Sequence, residues 1–264
     1  MPHGMARVMA AKLETLIRDL RLRRGRERRG LTLAEGVRLV EEAIAAGVPI
    51  RAVAVSPNLE GSARGRALKA ALARANVLTE LDDRTLAGLA DTEHPQGVIA
   101  VVEPPVWRWE HLPPEGVIVA LDGVQDPGNV GTILRTAQGL GASGVVALKG
   151  TAELRNPKVV RGSMGALFRL PALSATDDEL VHWCIGNRVD LWVADPDGNP
   201  VHDAPSPGGR RAICLVLGNE GAGVSAGLAA RASRRVAIPL ERGTESLNVA
   251  VAAGILLYEV LRER

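Results

Sequence analysis

The chain has 264 residues, enough for one large domain or two small ones. An apolar content of 46% excludes disorder, and a formal net charge of +2 means that any basic surface must be local. The two cysteines, Cys184 and Cys214, form no C-x-x-C pair, so no metal site is expected; no long uncharged apolar run or signal-peptide pattern is present, so no membrane partner is expected and a cytoplasmic setting is.

Met1 to Ala10 read as a loose start. Seven arginines fall between Arg18 and Arg29, offset only by Asp19 and Glu27. Most charge runs are solvated faces, but this imbalance favours phosphate contact, with Arg23, Arg24, Arg26 and Arg28 as the candidates. Val37, Val40 and Ile44 recur at helical spacing and predict a helix over 37–46, ended by Gly47-Val48-Pro49. Strands are predicted over 50–56, 77–79 and 97–102. Helices are predicted over 63–75 and 82–90, the second started by an aspartate cap. This alternation predicts a small layered α/β domain. His94 has no acid or nucleophile near it in a recognisable pattern, so local bonding is expected of it rather than catalysis. Pro104, Pro105, Pro113 and Pro114 around Trp107 and Trp109 read as a semi-stiff linker. The domains are therefore expected at 1–104 and 116–264, with the linker at 105–115. The few aromatic residues are too scattered for a multi-base stacking platform.

The run Gly116-Val117-Ile118-Val119-Ala120-Leu121 is apolar and β-branched, as a buried strand is. Beyond it, Ile133, Leu134, Ala137 and Leu140 recur at helical spacing. Between them lies a loop with Asp122, Gln125, Asp126 and Asn129 around Gly123, Pro127 and Gly128, more polar than a turn needs. Asn129 is expected to cap the helix and Arg135 to project from it near the same end of the strand. Sites in open α/β sheets lie at the carboxyl ends of strands. More strands are predicted over 145–148, 191–194, 212–217 and 236–240. Cys214, inside one of them, is expected as a small buried hydrophobe. The helix over 248–261 is apolar nearly all round, which suits a buried or interface helix.

Two rival chemistries fail on the residues. Arg161-Gly162-Ser163-Met164-Gly165 lacks the first glycine of a G-x-S-x-G elbow, which removes a serine hydrolase. Gly221-Ala222-Gly223-Val224-Ser225-Ala226 fits the outline of a dinucleotide-binding turn, with Glu241 about twenty residues on. Glu220 at its mouth would repel a pyrophosphate, and residues 224–233 leave little room for a crossover helix.

Three stretches in order carry a resemblance: Leu121 to Ala137; Leu215-Val216-Leu217-Gly218-Asn219-Glu220-Gly221-Ala222-Gly223; and Ile238-Pro239-Leu240 with Glu245-Ser246-Leu247-Asn248-Val249-Ala250-Val251-Ala252. They resemble the signature motifs of the SpoU/TrmH family of RNA ribose 2′-O-methyltransferases, in the SPOUT class. The N-terminal part, through Glu35-Gly36 and His94-Pro95-Gln96-Gly97-Val98, looks more weakly like an L30e-like RNA-binding domain. The resemblance implies an α/β chain: a small L30e-like domain, then a SPOUT parallel-sheet domain with a C-terminal trefoil knot. It implies S-adenosyl-L-methionine as cofactor, held around Leu217, Gly218, Ile238, Leu240, Leu247 and Asn248. It implies a catalytic Arg135, with Asn129, Glu220, Ser246 and Asn248 completing the polar set. Ser163 is expected as a structural residue in a stretch that opens a helix. A homodimer through the C-terminal domain is implied as well. Guanidinium stays protonated in proteins, so Arg135 is expected to grip the target phosphate and polarise the 2′-oxygen rather than act as a base. Large-subunit ribosomal RNA is the expected substrate. Transfer RNA is the alternative; a non-catalytic RNA-binding module, which could lose the polar set, is a further one, and the presence of the whole set favours an enzyme.

Overall fold

The structure, a computed structural model, describes residues 3–75, 77–204, 212–241 and 246–262. The chain divides into two compact units, residues 1–105 with 155–168 and residues 106–154 with 169–264.

The first unit begins with α1 (His3–Arg21), where a loose start was expected. Leu13, Ile17 and Leu20 lie at helical spacing and are buried, and that stripe holds the helix through its polar beginning. Then come α2 (Arg23–Arg29), β1 (Thr32–Glu35), α3 (Val37–Ala45), β2 (Ile50–Val55), α4 (Ala63–Ala73), β3 (Leu78–Glu80), α5 (Asp83–Leu89) and β4 (Val98–Val102). The sheet order is β1-β4-β2-β3, with β4 antiparallel to both its neighbours and β2 parallel to β3. The α1 stripe packs with Leu86 and Leu89 of α5 against Leu33, Ile99 and Val101 of the sheet. Asp82 caps α5 as expected, accepting the Thr85 N–H at 2.8 Å, and that bond holds its carboxyl below the ordinary range.

The second unit contains β5 (Val117–Asp122), α6 (Pro127–Leu140) and β6 (Gly144–Ala147). The chain then enters α7 (Pro157–Gly162), which belongs to the first unit. It returns with β7 (Ala172–Ser174), α8 (Asp177–Asn187), β8 (Asp190–Pro200), β9 (Ile213–Gly218), α9 (Ala226–Ala229), β10 (Arg234–Ala237) and α10 (Val249–Leu261). The six strands run in the order β10-β8-β9-β5-β6-β7 and every pair is parallel. Residues 117–121 of β5 are fully buried, as a strand covered on both faces must be. All carboxyl ends therefore share one edge.

Two boundaries differ from those expected. Residues 106–115 are part of the second unit rather than a spacer. Trp107 and Trp109 pack against its core, Trp109 stacks on Trp183 at 5.6 Å, and Leu112 is buried. Residues 155–168, expected within 116–264, pack with the first unit. There Val159 and Val160 are buried, Thr32 Oγ1 donates to the Arg155 carbonyl at 2.6 Å, and Arg161 pairs with Asp91 at 2.9 Å. Ser163 is buried, its hydroxyl donating to the Val160 carbonyl. α8 has no counterpart among the predicted elements; a reciprocal capping box between Thr176 and Glu179 starts it. Cys184 and Cys214 are both buried and free.

Candidate active site

The loop after β5 builds the site. Pro127 takes the first position of α6, where a missing N–H is harmless, and Asp126 rather than Asn129 caps the helix, accepting the Asn129 N–H at 2.8 Å. The Asn129 side chain is thereby left for other work. Its Nδ2 donates to Glu220 Oε1 at 2.8 Å, and its Oδ1 accepts from Asn248 Nδ2 at 3.0 Å. Asn248 also caps α10, its Oδ1 accepting the N–H groups of Ala250 and Val251 at 2.9 and 3.3 Å. One hydrogen-bonded chain, Glu220–Asn129–Asn248, thus joins the loops that follow β5 and β9 and the segment that starts α10.

Two members of the expected set stand outside that chain. Arg135 is exposed on α6 and has no hydrogen-bond or ionic partner among the described residues. Six residues past Asn129 puts its Cα about 9 Å along the helix axis and about 120° around it, and the side chain is exposed there. Ser246 is exposed and likewise unpartnered among the described residues. Glu245 of the third motif lies outside them.

The residues expected around a cofactor sit along the same edge. Leu217 is buried in β9, so only its backbone is available there, and Gly218 ends that strand. A Cβ on Gly218 would come within 2.1 Å of the Gly223 carbonyl carbon, so only glycine lets the loop fold back on the strand end. Ile238 to Leu240 follow β10, whose line in the sheet lies two strands, about 10 Å, from β9. Leu247 is half-buried beside Asn248. The set suits S-adenosylmethionine: backbone groups on a tight turn and an exposed carboxylate at Glu220, a polarity that fits a cationic ligand better than a phosphate.

Two neighbouring side chains were not expected. Asp122, at the end of β5, accepts the Ser225 N–H at 2.7 Å and so ties down the far side of the loop that carries Glu220. Asp177 in the first turn of α8 is raised above its ordinary value, by burial first and then by the carboxylates of Asp122 and Asp178. Among the described residues no group of three or more His, Cys, Asp or Glu could hold a metal ion, and no helix is long and apolar enough to cross a membrane.

The arginine run of the first unit is mostly engaged. Arg26, expected to contact RNA, is 3% exposed and donates to the Leu20 and Arg21 carbonyls at 3.0 and 2.7 Å, which closes the end of α1. That burial removes it from any surface contact. Arg23 pairs with Glu27, and Arg28 and Arg29 with Asp19. Arg24 is exposed and has no partner among the described residues. An open groove of about 820 Å³ lies elsewhere in this unit, lined by Arg38, Ser56, Asn58, His94 and Gln96 among others. His94 is exposed there and has no hydrogen-bond partner among the described residues, where local bonding was expected. The Ser56 hydroxyl is buried without a hydrogen-bond partner, and Arg38 is exposed and unpaired among the described residues.

Comparison with known proteins gives the family. Residues 116–258 match the model of the SpoU rRNA Methylase family, and residues 15–100 match the MRM3-like substrate binding domain. The chain is 31% identical over 244 residues to the 23S rRNA (guanosine(2553)-2′-O)-methyltransferase RlmP of Bacillus subtilis, covering 92% of this chain and 93% of that one. The crystal structure of the SpoU methyltransferase AviRb from Streptomyces viridochromogenes with AdoMet superimposes with a TM-score of 0.84 at 32% identity, covering 96% of this chain and 97% of that one. An AdoMet-bound rRNA methyltransferase from Sinorhizobium meliloti gives a TM-score of 0.82 at 29% identity over 95% of this chain and 94% of that one. With its loops joined at the carboxyl edge of a parallel sheet and its motifs in order, the chain belongs to the SpoU rRNA methylase family.

Proposed function

We propose that this chain transfers a methyl group from S-adenosylmethionine to a ribose 2′-oxygen of structured RNA, with 23S ribosomal RNA as the substrate. The observation that carries the reading is the Glu220–Asn129–Asn248 chain, which brings all three motifs to one point. The cofactor supplies an already activated methyl carbon on a positive sulfur. What remains for the protein is alignment, and orientation can supply a large share of such a barrier. The backbone at Gly218, Ile238 to Leu240 and Leu247 holds the cofactor. Asn129, fixed by Glu220 on one side and Asn248 on the other, would set the position of the ribose 2′-hydroxyl against the methyl carbon, with the thioether as leaving group and the hydroxyl proton passing to solvent. Arg135, unpaired and exposed, grips the target phosphate and polarises the 2′-oxygen, and Ser246 completes the polar set.

The first unit holds the RNA. Its groove offers Arg38 for a phosphate, with His94 as a group for a base edge, and Arg24 adds an exposed charge nearer the start of the chain, with Arg23 and Arg28 beside it. The working form is a homodimer through the C-terminal unit. Val251, Ile255 and Tyr258 are 52%, 37% and 59% exposed and share one face of α10, which elsewhere packs on α6. An apolar stripe of that kind asks for a partner. The same reading carries the trefoil knot around the C-terminal segment and a cytoplasmic location, where the RNA is. Mapping ribose methyl groups on ribosomal RNA from a strain lacking the gene tests the reading. One 2′-O-methyl group of 23S rRNA should disappear and return when purified protein and S-adenosylmethionine are added; an unchanged 23S map would end the assignment.

A further inference from the structure

Glu220 is an exposed residue on a short loop, yet it meets the Asn129 side chain at 2.8 Å. Something must hold that loop against the loop after β5. The side chain of Asn219 does so. Its Oδ1 accepts the N–H groups of Gly221 at 2.9 Å and Ala222 at 3.0 Å, which closes the turn that presents Glu220. Its Nδ2 donates to the Gly123 carbonyl at 3.0 Å, in the loop that leads to Asn129. Its backbone pairs with Gly223 in both directions. Gly123 has φ +71, a conformation glycine takes without strain, and this turns its carbonyl toward Asn219.

We infer that Asn219 is a positioning residue for methyl transfer that acts through Glu220, by fixing the loop after β9 to the loop after β5. The inference rests on reading the Glu220–Asn129–Asn248 chain as the active site. Two of its three side-chain bonds shape the turn and the remaining one sets the register between loops, and a single substitution separates the two jobs. Asn219→Asp keeps both acceptor bonds and so keeps the turn. It removes the N–H to Gly123 and sets a carboxylate oxygen against a carbonyl oxygen. Asn219→Ala removes all three bonds.

The test compares Asn219→Asp and Asn219→Ala in the full chain, each with Glu220 intact and with Glu220→Gln. Single-turnover methyl transfer is measured on 23S rRNA from the strain lacking the gene, with cofactor affinity by calorimetry and thermal unfolding on the same samples. A misplacement of about 1 Å can cost on the order of 10²-fold in rate. With Glu220 intact, Asn219→Asp should therefore slow transfer at least tenfold and Asn219→Ala about a hundredfold, with cofactor affinity within about threefold of wild type. In the Glu220→Gln background the same changes should cost less than about threefold, because the group being positioned has been altered. Asn219→Asp retains the turn, so it decides the matter even where Asn219→Ala unfolds. Wild-type transfer by Asn219→Asp, or equal losses in both backgrounds, overturns the inference while leaving the active-site reading in place. A Glu220→Gln protein that transfers at the wild-type rate overturns both.

Discussion

The two units treat their polar residues in opposite ways. In the first, the most conspicuous charges in the sequence are consumed by the fold: Arg26 closes α1, and Asp19 collects Arg28 and Arg29. Among its described residues, groups left without a partner include Arg24 in the run itself and Ser56, Arg38 and His94 along a groove elsewhere. In the second, polar residues at the carboxyl edge of the sheet are bonded to one another, while Arg135, further along α6, is exposed and unpaired among the described residues. A cluster of like charges in sequence therefore says little about a site. A polar loop between a buried strand and a helix says a good deal, because nothing in the local structure consumes it.

The largest break in that contrast comes from removing the free charge. Arg135→Ala should lower methyl transfer on the order of 10²-fold or more, the usual loss for one preorganised charge-stabilising donor, with cofactor binding close to normal. Arg135→Lys should rescue only partly, since an ammonium cannot reproduce a two-pronged grip. Calorimetry with the cofactor beside a transfer assay separates these outcomes, and normal turnover by Arg135→Ala would make it a plain surface arginine.

Next comes the pair Arg26 and Arg24. Arg26→Ala leaves the buried Leu20 carbonyl and the part-buried Arg21 carbonyl without this donor and should cost about 2 kcal/mol of stability in a urea titration. Arg24→Ala should change stability by no more than about 0.5 kcal/mol. It should instead reduce the slope of RNA affinity against salt by about one unit. Equal behaviour of the two would erase the distinction between consumed and free arginines. A somewhat smaller effect is expected at the outer face of α10. Ile255→Asp should weaken self-association at least about tenfold, roughly 1.4 kcal/mol, read by sedimentation of both proteins at micromolar concentration. A wild type that sediments as a monomer removes the dimer.

The smallest expected effect is a pH dependence. Hydrogen bonds from Arg29 first, and then Arg28, hold the Asp19 carboxyl below its ordinary value. A depressed carboxylate contributes stability above its unfolded value, near pH 4, and that contribution fades as the pH falls through the folded value. Asp19→Asn should therefore be the less stable protein at pH 6, and the two should converge in acid. Parallel unfolding curves at every pH would show that these ion pairs contribute nothing.

Most of the second unit was legible because a parallel strand buried on both faces reads as an unbroken apolar run, as in β5 and β9. The helix after β5 was legible too, but not its cap. Asn129 and Asp126 are both good caps by type, and the choice between them was made by Pro127, which fixes where the helix starts. The result matters, since the displaced asparagine is the one that reaches Glu220. In the first unit β2, α3, α4, α5 and β4 followed from periodicity and caps. α1 did not, because its buried stripe is only one face of a sequence rich in charge. α8 was missed although its Thr176 to Glu179 capping box stands in the sequence. Contacts such as Asn219 to Gly123 span 96 residues and leave no periodic trace.

The route of the chain has a consequence for synthesis. Residues 155–168 pack against β1 but emerge from the ribosome only after β5, α6 and β6. The N-terminal unit therefore cannot finish folding as a separate event before the catalytic unit begins. Val159, Val160 and the residues around Phe168 stay without their cover until both ends of the arrangement are present. Excising the catalytic unit at a point near Glu110 would export that apolar segment without its partner, and the fragment should aggregate rather than serve as a minimal enzyme.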